Sequence, residues 1–166
     1  MTNTNDSSIV CPHCGVEVRA HDEFCPDCGE LFAESVVCHR HSAKLACGVC
    51  IVCCMPFCST CGGRVQNRFL CDEHDMLEIV EGMARVFGSS NAAEVDFAKT
   101  SLETASLHPF VFSRKASPIS LGAPEYTLYR ASGEYDGHIV NEFKLMIPCQ
   151  EFQQAEKKLR ELQFVK

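Results

Sequence analysis

The spacing of apolar residues divides this chain near residue 75. From Met76 onward, apolar and charged residues alternate over stretches long enough to predict strands and helices. Between Cys11 and Cys71, by contrast, twelve cysteines interrupt the sequence and leave little room for an apolar core. We therefore expect small stapled modules in the N-terminal half and an ordinary folded domain over residues 80–166.

Two helices are predicted in the C-terminal domain, because apolar residues recur there at intervals of three, four and three. The first covers residues 91–106, where Ser90 or Asn91 is suited to cap its N-terminus. The second covers residues 150–162. Their predicted buried faces are Val95, Ala98, Leu102 and Ala105 in the first helix and Phe152, Ala155, Leu159 and Leu162 in the second.

Alternating segments predict strands over residues 83–88, 110–114 and 142–148, with a last short strand at 164–165. The resulting order, β-α-β-β-α-β, is that of an α+β ferredoxin-like domain.

Residues 115–141 form a long insert between the second and third of these strands. An edge strand is predicted within the insert, over residues 126–130. The insert also holds the three tyrosines of the chain, Tyr126, Tyr129 and Tyr135. We interpret it as a hairpin that packs on the sheet, with a binding surface as the alternative.

The N-terminal end of the chain predicts a disordered tail over residues 1–9. It has neither the basic start nor the apolar run of a signal peptide. No stretch approaches the roughly 20 apolar residues of a membrane span. We therefore expect a cytoplasmic protein, in which thiols stay reduced and cysteine pairs favour metal over disulfides.

The first cysteine-rich segment, residues 10–33, contains two near-copies of one C-x₂-C knuckle. Gly15 and Gly29 each follow a knuckle and supply the positive φ that such a turn needs. His13 and Asp27 lie inside the knuckles and are expected to face solvent. The segment resembles a small zinc ribbon, which implies a closed structural zinc site with four thiolate ligands, Cys11, Cys14, Cys25 and Cys28.

The second segment, residues 36–75, contains four ligand pairs, each with two intervening residues. Pairing the first with the third and the second with the fourth gives a cross-brace of two zinc sites. One site has Cys38, His41, Cys58 and Cys61, and the other has Cys50, Cys53, Cys71 and His74. In an alternative register, Cys47 and Cys50 form the second pair. In the preferred register Cys47 and Cys54 are spare thiols, expected to be buried small hydrophobes, and His39 is expected at the surface.

The segment from Cys38 to His74 resembles a B-box-type zinc finger. Ala46, the Met55-Pro-Phe57 lead into the third pair and the closing C-x₂-H pair carry this resemblance. The segment departs from the family at Ser42, where proline is usual, and at Cys54, where glycine is common. The resemblance implies a module that binds proteins or arranges neighbouring domains.

The C-terminal domain resembles a family of unknown function that is assigned to signal transduction and has a PII-like (GlnB-like) fold. The run Ala93–Ala105, the Leu107-His-Pro109 motif and Leu145-Met-Ile-Pro148 carry the resemblance, with Val95 and Ser106 as departures from the usual alanine and glycine. It implies a small regulatory or protein-binding domain.

The net charge of −7 is concentrated in residues 1–34, which hold seven acidic residues against Arg19 alone. With three Zn²⁺ ions and ten ligand thiolates, the loaded protein has a charge of about −11. This charge disfavours non-specific binding to nucleic acid or to an anionic membrane.

No paired carboxylates, nucleophile–base pair or phosphate loop is found in the sequence, and His108 and His138 are expected to be isolated surface residues. Cys149 is expected to cap or pack the second helix. We therefore expect a non-enzymatic, zinc-binding adaptor or regulatory protein with a protein partner. The alternatives are a nucleic-acid-binding ribbon protein, a ubiquitin-ligase-like enzyme and a thiol redox sensor that uses Cys47, Cys54 or Cys149.

Overall fold

The computed structural model describes residues 7–113, 133–135, 138–140 and 142–165. The chain divides into two compact units, Met1–Leu77 and Glu78–Lys166. The first contains small cysteine-rich modules and the second is a small α+β region.

Within residues 7–77, the N-terminal unit contains three two-stranded hairpins. The strands are β1 (Ser8–Val10) with β2 (Glu17–Arg19), β3 (Gly48–Val49) with β4 (Pro56–Phe57), and β5 (Gly62–Val65) with β6 (Arg68–Cys71). All three pairs are antiparallel. The alternation of residues 16–19 in the sequence predicts one arm of a short hairpin, and β2 confirms it.

Strand β1 begins inside the segment that was predicted to be a disordered tail. Ile9 lies opposite Val18, so the apolar end of this segment pairs with the arm that follows the first knuckle. Residues 1–6 lie outside the described residues.

The core of the first module consists mainly of cysteines. Cys11, Cys25 and Cys28 are buried with Val18, and Cys14 and Phe32 pack against them. A core this small cannot offset the conformational entropy of ordering the chain, so the module needs a staple.

The described elements of the C-terminal unit include β7 (Ile79–Val80), β8 (Met83–Ser89), α1 (Ala92–Thr104), β9 (Phe110–Ser113), β12 (Phe143–Pro148) and α2 (Phe152–Glu161). Over these residues the strands form a four-stranded antiparallel sheet in the order β7-β8-β12-β9. A 3₁₀ turn, Cys149–Glu151, leads into α2. A separate hairpin pairs β10 (Gly133–Tyr135) with β11 (His138–Val140). The predicted helices and the first three strands are thus present, with ends shifted by a few residues.

The predicted last strand, Phe164–Val165, is wrong. Helix α2 ends in a Schellman motif instead, in which Gln163 has a φ of 65° and the Phe164 amide donates to the Leu159 carbonyl at 2.9 Å. The Phe164 ring packs against Phe87 and Phe97. Strand β7, which the sequence did not predict, takes the place beside β8.

The two helices bury most of their predicted faces. Val95, Ala98 and Leu102 are buried in α1, and Phe152, Ala155 and Leu159 are buried in α2. The last members of the predicted faces, Ala105 and Leu162, are the C-caps and are exposed. Asn91 caps α1, as one of the two candidates predicted, by accepting a hydrogen bond from the Ala93 amide at 3.1 Å.

The predicted edge strand at residues 126–130 and most of the insert 115–141 lie outside the described residues.

Candidate metal centres

The first cluster brings together Cys11, Cys14, Cys25 and Cys28, whose sulfurs all lie within 4.8 Å of one another. The two knuckles have the same backbone turn. The Gly15 amide donates to the Cys11 carbonyl at 2.9 Å, and the Gly29 amide donates to the Cys25 carbonyl at 2.8 Å. Gly15 has a φ of 77° and Gly29 a φ of 76°, a region that glycine enters at little cost.

The sulfur separations in this cluster fit a tetrahedral zinc site. The Sγ atoms of Cys11 and Cys28 are 3.7 Å apart, and those of Cys14 and Cys25 are 3.6 Å apart. Four sulfurs at about 2.3 Å from one Zn²⁺ are about 3.8 Å from each other, whereas disulfide-bonded sulfurs are about 2.05 Å apart. The geometry therefore fits a shared metal ion.

The second cluster contains Cys38, His41, Cys58 and Cys61. The His41 Nδ1 atom lies 3.8, 3.5 and 3.2 Å from the sulfurs of these three cysteines, in that order. A tetrahedral site with one nitrogen and three sulfur ligands places these atoms about 3.5 Å apart.

The third cluster contains Cys50, Cys53, Cys71 and His74. The His74 Nδ1 atom is 3.6 Å from the Cys50 sulfur and 3.0 Å from the Cys71 sulfur. His74 is the buried histidine of the N-terminal unit, whereas His41 is exposed. Three Cys/His clusters that could hold metal ions are therefore present, and their donor sets are compatible with zinc.

The second and third clusters are interleaved along the chain. The first and third ligand pairs belong to the second cluster, and the second and fourth pairs belong to the third cluster. Arg40, within the first pair, donates to Asp72 and Glu73, within the last pair, at 2.6 Å each. The Asp72 amide also donates to the Cys61 carbonyl at 3.1 Å. The register with Cys47 in the second pair is not the arrangement found.

Without a bound cation, thiols within the second and third clusters have pKa values that differ widely from one another. A hydrogen bond from the Cys53 thiol lowers the pKa of Cys50 to about 4. That same hydrogen bond, together with burial, raises the pKa of Cys53 above its ordinary range. A hydrogen bond from Thr60 lowers the pKa of Cys58 to about 5. Because adjacent thiolates repel one another, a divalent cation is needed for all the thiols of a cluster to ionise together, while a histidine ligand binds as the neutral imidazole.

Cys47 and Cys54 lie outside the clusters and are exposed, so the expectation that they are buried is wrong. Cys54 follows the Cys50–Cys53 knuckle with a φ of 56°, and its amide donates to the Cys50 carbonyl at 2.8 Å. This is the position that Gly15 and Gly29 hold in the other knuckles. Cys54 therefore occupies a turn position at the surface, with no place in the core.

The remaining candidates are found in several environments. Cys149 is buried at the start of the 3₁₀ turn, which agrees with a packing role. His108 is exposed but not isolated, because its Nδ1 lies 2.7 Å from Glu151 Oε1 and its amide donates to Glu151 Oε2 at 2.8 Å. The backbone of His138 lies in β11, and the expectation for its side chain stays a prediction.

Residues inside and beside the knuckles differ in exposure. His13 and His39 are exposed, as expected. Asp27 is half-buried and lies 3.4 Å from the Arg68 guanidinium, so it does not simply face solvent. Only the three-dimensional arrangement brings Arg68 to this knuckle, because the two residues are 41 positions apart.

An apolar hollow on the C-terminal unit was not predicted. Its volume is about 450 Å³, and Glu78 and Lys144 lie at it with an ion-pair distance of 2.6 Å. The apolar lining is Val80, Met83, Phe110, Phe112 and Met146. The sequence does contain a signal for this hollow. Phe110 and Phe112 are two positions apart on one strand, as are Lys144 and Met146 on another, so the members of each pair point to the same face of the sheet.

Comparison with protein-family models, with curated proteins and with solved structures found no match for this chain. Over the residues that the structure describes, no helix has the length and apolar character needed to cross a membrane.

Proposed function

We propose that this protein is a non-enzymatic, zinc-stabilised adaptor or regulatory protein that acts by binding other proteins. The observation that carries the proposal is that each cluster supplies four protein ligands at tetrahedral separations. A zinc ion with four protein ligands is structural, whereas a catalytic zinc keeps a position for water or substrate. Zinc then serves to hold residues 10–75 in their fold.

The finer assignments are part of the same proposal. Residues 10–33 form a zinc ribbon, which the paired knuckles and the β1–β2 hairpin support. Residues 36–75 form a B-box-type cross-brace, which the interleaved ligand pairs support. Residues 80–166 form a PII-like domain with a ferredoxin-like sheet, which the position of β12 between β8 and β9 supports, since a split β-α-β unit has this strand order.

Protein binding is favoured over nucleic-acid binding by charge and by surface. Residues 1–34 hold a single basic residue, so they provide little attraction for phosphates. The C-terminal unit exposes Phe110, Phe112 and Val80 around the apolar hollow, with exposed fractions of 59%, 45% and 52%. An exposed apolar patch of this kind is typical of a protein contact.

The experiment uses the zinc-loaded full chain, cross-linked to its neighbours in cells of its source and analysed by mass spectrometry. The test variant is Phe110→Asp, and the matched control is Leu45→Asp, which changes an exposed apolar residue of the other unit. We expect the same protein to be captured by the wild type and the control, with at least tenfold less captured by Phe110→Asp. Equal capture by both variants, or capture of nucleic acid with a steep salt dependence, would contradict the proposal.

A further inference from the structure

The second knuckle of the first module, Cys25–Gly29, packs against the backbone of residues 36–75, which hold the second and third clusters and are called the interleaved module below. The Val49 amide donates to the Gly29 carbonyl at 2.8 Å, and the Phe69 amide donates to the Cys28 carbonyl at 2.9 Å. A Cβ atom at Gly29 would lie 2.1 Å from the Val49 carbonyl oxygen, which no side chain tolerates. The two modules are therefore in direct backbone contact at this knuckle.

Opposite charges border this contact. Arg64 pairs with Glu30 and also donates to the Cys28 carbonyl at 3.4 Å. Arg68 lies 3.4 Å from Asp27. The contact thus brings two of the four basic residues between positions 35 and 75 to the acidic first module.

The same backbone segments hold ligands of the third cluster. Phe69, which binds the Cys28 carbonyl, stands two residues before the ligand Cys71, and its own carbonyl accepts from the Ile51 amide at 3.2 Å. Val49, which binds the Gly29 carbonyl, directly precedes the ligand Cys50. Two short routes therefore connect ligands of the first cluster with ligands of the third.

We propose that metal binding at the first cluster and metal binding at the third cluster are thermodynamically coupled, so that occupancy of either site raises the affinity of the other. The inference rests on the proposed zinc occupancy of both sites. A metal ion fixes the knuckle whose carbonyls accept the Val49 and Phe69 amides, and these contacts order the segments that present Cys50 and Cys71. By linkage the effect is reciprocal, and couplings of this kind change affinity by about 5- to 150-fold.

The test measures zinc binding at the third cluster in the full chain, at buffered free zinc concentrations. Protection of Cys50, Cys53 and Cys71 from alkylation, mapped by mass spectrometry, reports on that site alone. The double change Cys11→Ser with Cys14→Ser abolishes the first site but leaves the contacting knuckle unsubstituted. We expect this change to raise the zinc concentration for half-protection of Cys71 at least fivefold.

A matched pair of glycine variants separates coupling from general damage. Gly15 and Gly29 have nearly the same φ, but a Cβ atom at Gly15 would meet nothing within 4 Å. Gly29→Ala should weaken the third site, and adding the Cys11 and Cys14 changes should then have little further effect. With Gly15→Ala in its place, the fivefold effect of those changes should persist.

The outcomes distinguish the coupling from the zinc occupancy on which it rests. If zinc protects all ligand cysteines of the wild type but loss of the first site moves the third by less than twofold, the coupling is refuted. The coupling would also be refuted if the Cys11 and Cys14 changes weakened zinc binding at the third cluster equally in the Gly15→Ala and the Gly29→Ala chains. If zinc gives the wild type no protection, the proposed zinc occupancy itself fails.

Discussion

Ser106 has a left-handed backbone conformation that a residue with a side chain adopts only at a cost. Its φ is 60°, and it follows the C-cap of α1 in a Schellman motif. The Ser106 amide donates to the Glu103 carbonyl at 2.9 Å and the Leu107 amide donates to the Leu102 carbonyl at 3.1 Å. Glycine is the usual residue at such a position, because it has no Cβ atom to clash.

We predict that Ser106→Gly stabilises the C-terminal unit by about 0.5–1 kcal/mol, since relief of the left-handed strain exceeds the added entropy of the unfolded glycine. The measurement is urea unfolding of the full chain, followed by the helical circular dichroism signal. Ser101→Gly, in the interior of α1, serves as the control and should destabilise by about 0.5 kcal/mol. The same sign of change in both variants would show that the backbone conformation of Ser106 is not the cause.

A second residue-scale prediction concerns the ligand register of the third cluster. Cys50 is a buried cluster member, whereas Cys47 is exposed and outside it. Cys47→Ser should therefore retain three zinc ions per chain in native mass spectrometry, and Cys50→Ser should retain fewer than three, because an incomplete site loses most of its affinity. Loss of zinc from Cys47→Ser would indicate the alternative register.

The ligand pairs could be predicted because two intervening residues bring both donors to one ion, a constraint within a single turn. The exposure of Cys54 could not be predicted. It depends on a left-handed turn position that glycine usually occupies, so a cysteine there gives no sign of the turn. The pairing of Asp27 with Arg68 was beyond prediction for a different reason. It arises from the contact of two modules, which no local pattern encodes.

At the scale of elements, strand β7 holds the edge of the C-terminal sheet through a short hairpin. Glu81 and Gly82 have φ values of 50° and 79°, which are typical of a type I′ turn between β7 and β8. Glu78, just before β7, pairs with Lys144 on β12 at 2.6 Å and with Arg85 on β8 at 3.6 Å. These ion pairs link the residue that precedes β7 to β8 and β12.

The ion pairs make the stability of this edge depend on pH. The Lys144 ammonium and the Arg85 guanidinium hold the pKa of Glu78 below the ordinary value of 4.5. Glu78 therefore stabilises the folded unit above its unfolded pKa, and this contribution is lost as the pH falls through its lower folded pKa. Glu78→Gln should cost well under 1 kcal/mol at pH 7, because the pairs are partly exposed, and the difference should shrink below pH 4.5.

Urea unfolding at several pH values, followed by the helical signal, measures this difference. Glu81→Gln is the control, because Glu81 makes no ion pair with any described residue and should show no such trend. A difference between wild type and Glu78→Gln that stays constant with pH would contradict the role of the ion pairs.

The helices and strands of the C-terminal unit could be predicted where the period of the apolar residues and the length of the segment indicated the same type of element. Helices α1 and α2 and strands β8, β9 and β12 have regular apolar patterns, and their predicted positions are confirmed within a few residues. Strand β7 is two residues long, too short for any period. The predicted strand at residues 164–165 is wrong because Phe164 is apolar for another reason, the packing of its ring against those of Phe87 and Phe97.

At the scale of the whole molecule, the two units bury their apolar surface in different ways. In Met1–Leu77, ten of the proposed ligands are cysteines, and all ten are buried or half-buried in the three clusters. In Glu78–Lys166, aliphatic residues of two helices and a sheet form the core, including Leu102, Leu145, Ile147 and Leu159. We therefore expect the first unit, and not the second, to depend on metal for its core.

This difference predicts that removal of zinc unfolds the N-terminal unit and leaves the C-terminal unit folded. The described helices, α1 and α2, both lie in the C-terminal unit, so the helical circular dichroism signal reports on that unit. A strong chelator should release about three zinc ions per chain, expose the ligand cysteines to alkylation and cause rapid amide hydrogen exchange before residue 78. The helical signal should change little, because the aliphatic core has no metal ligand to lose. Collapse of that signal together with zinc release would mean that the second unit also depends on the metal, and that the division of the chain into a stapled part and a self-supporting part is wrong.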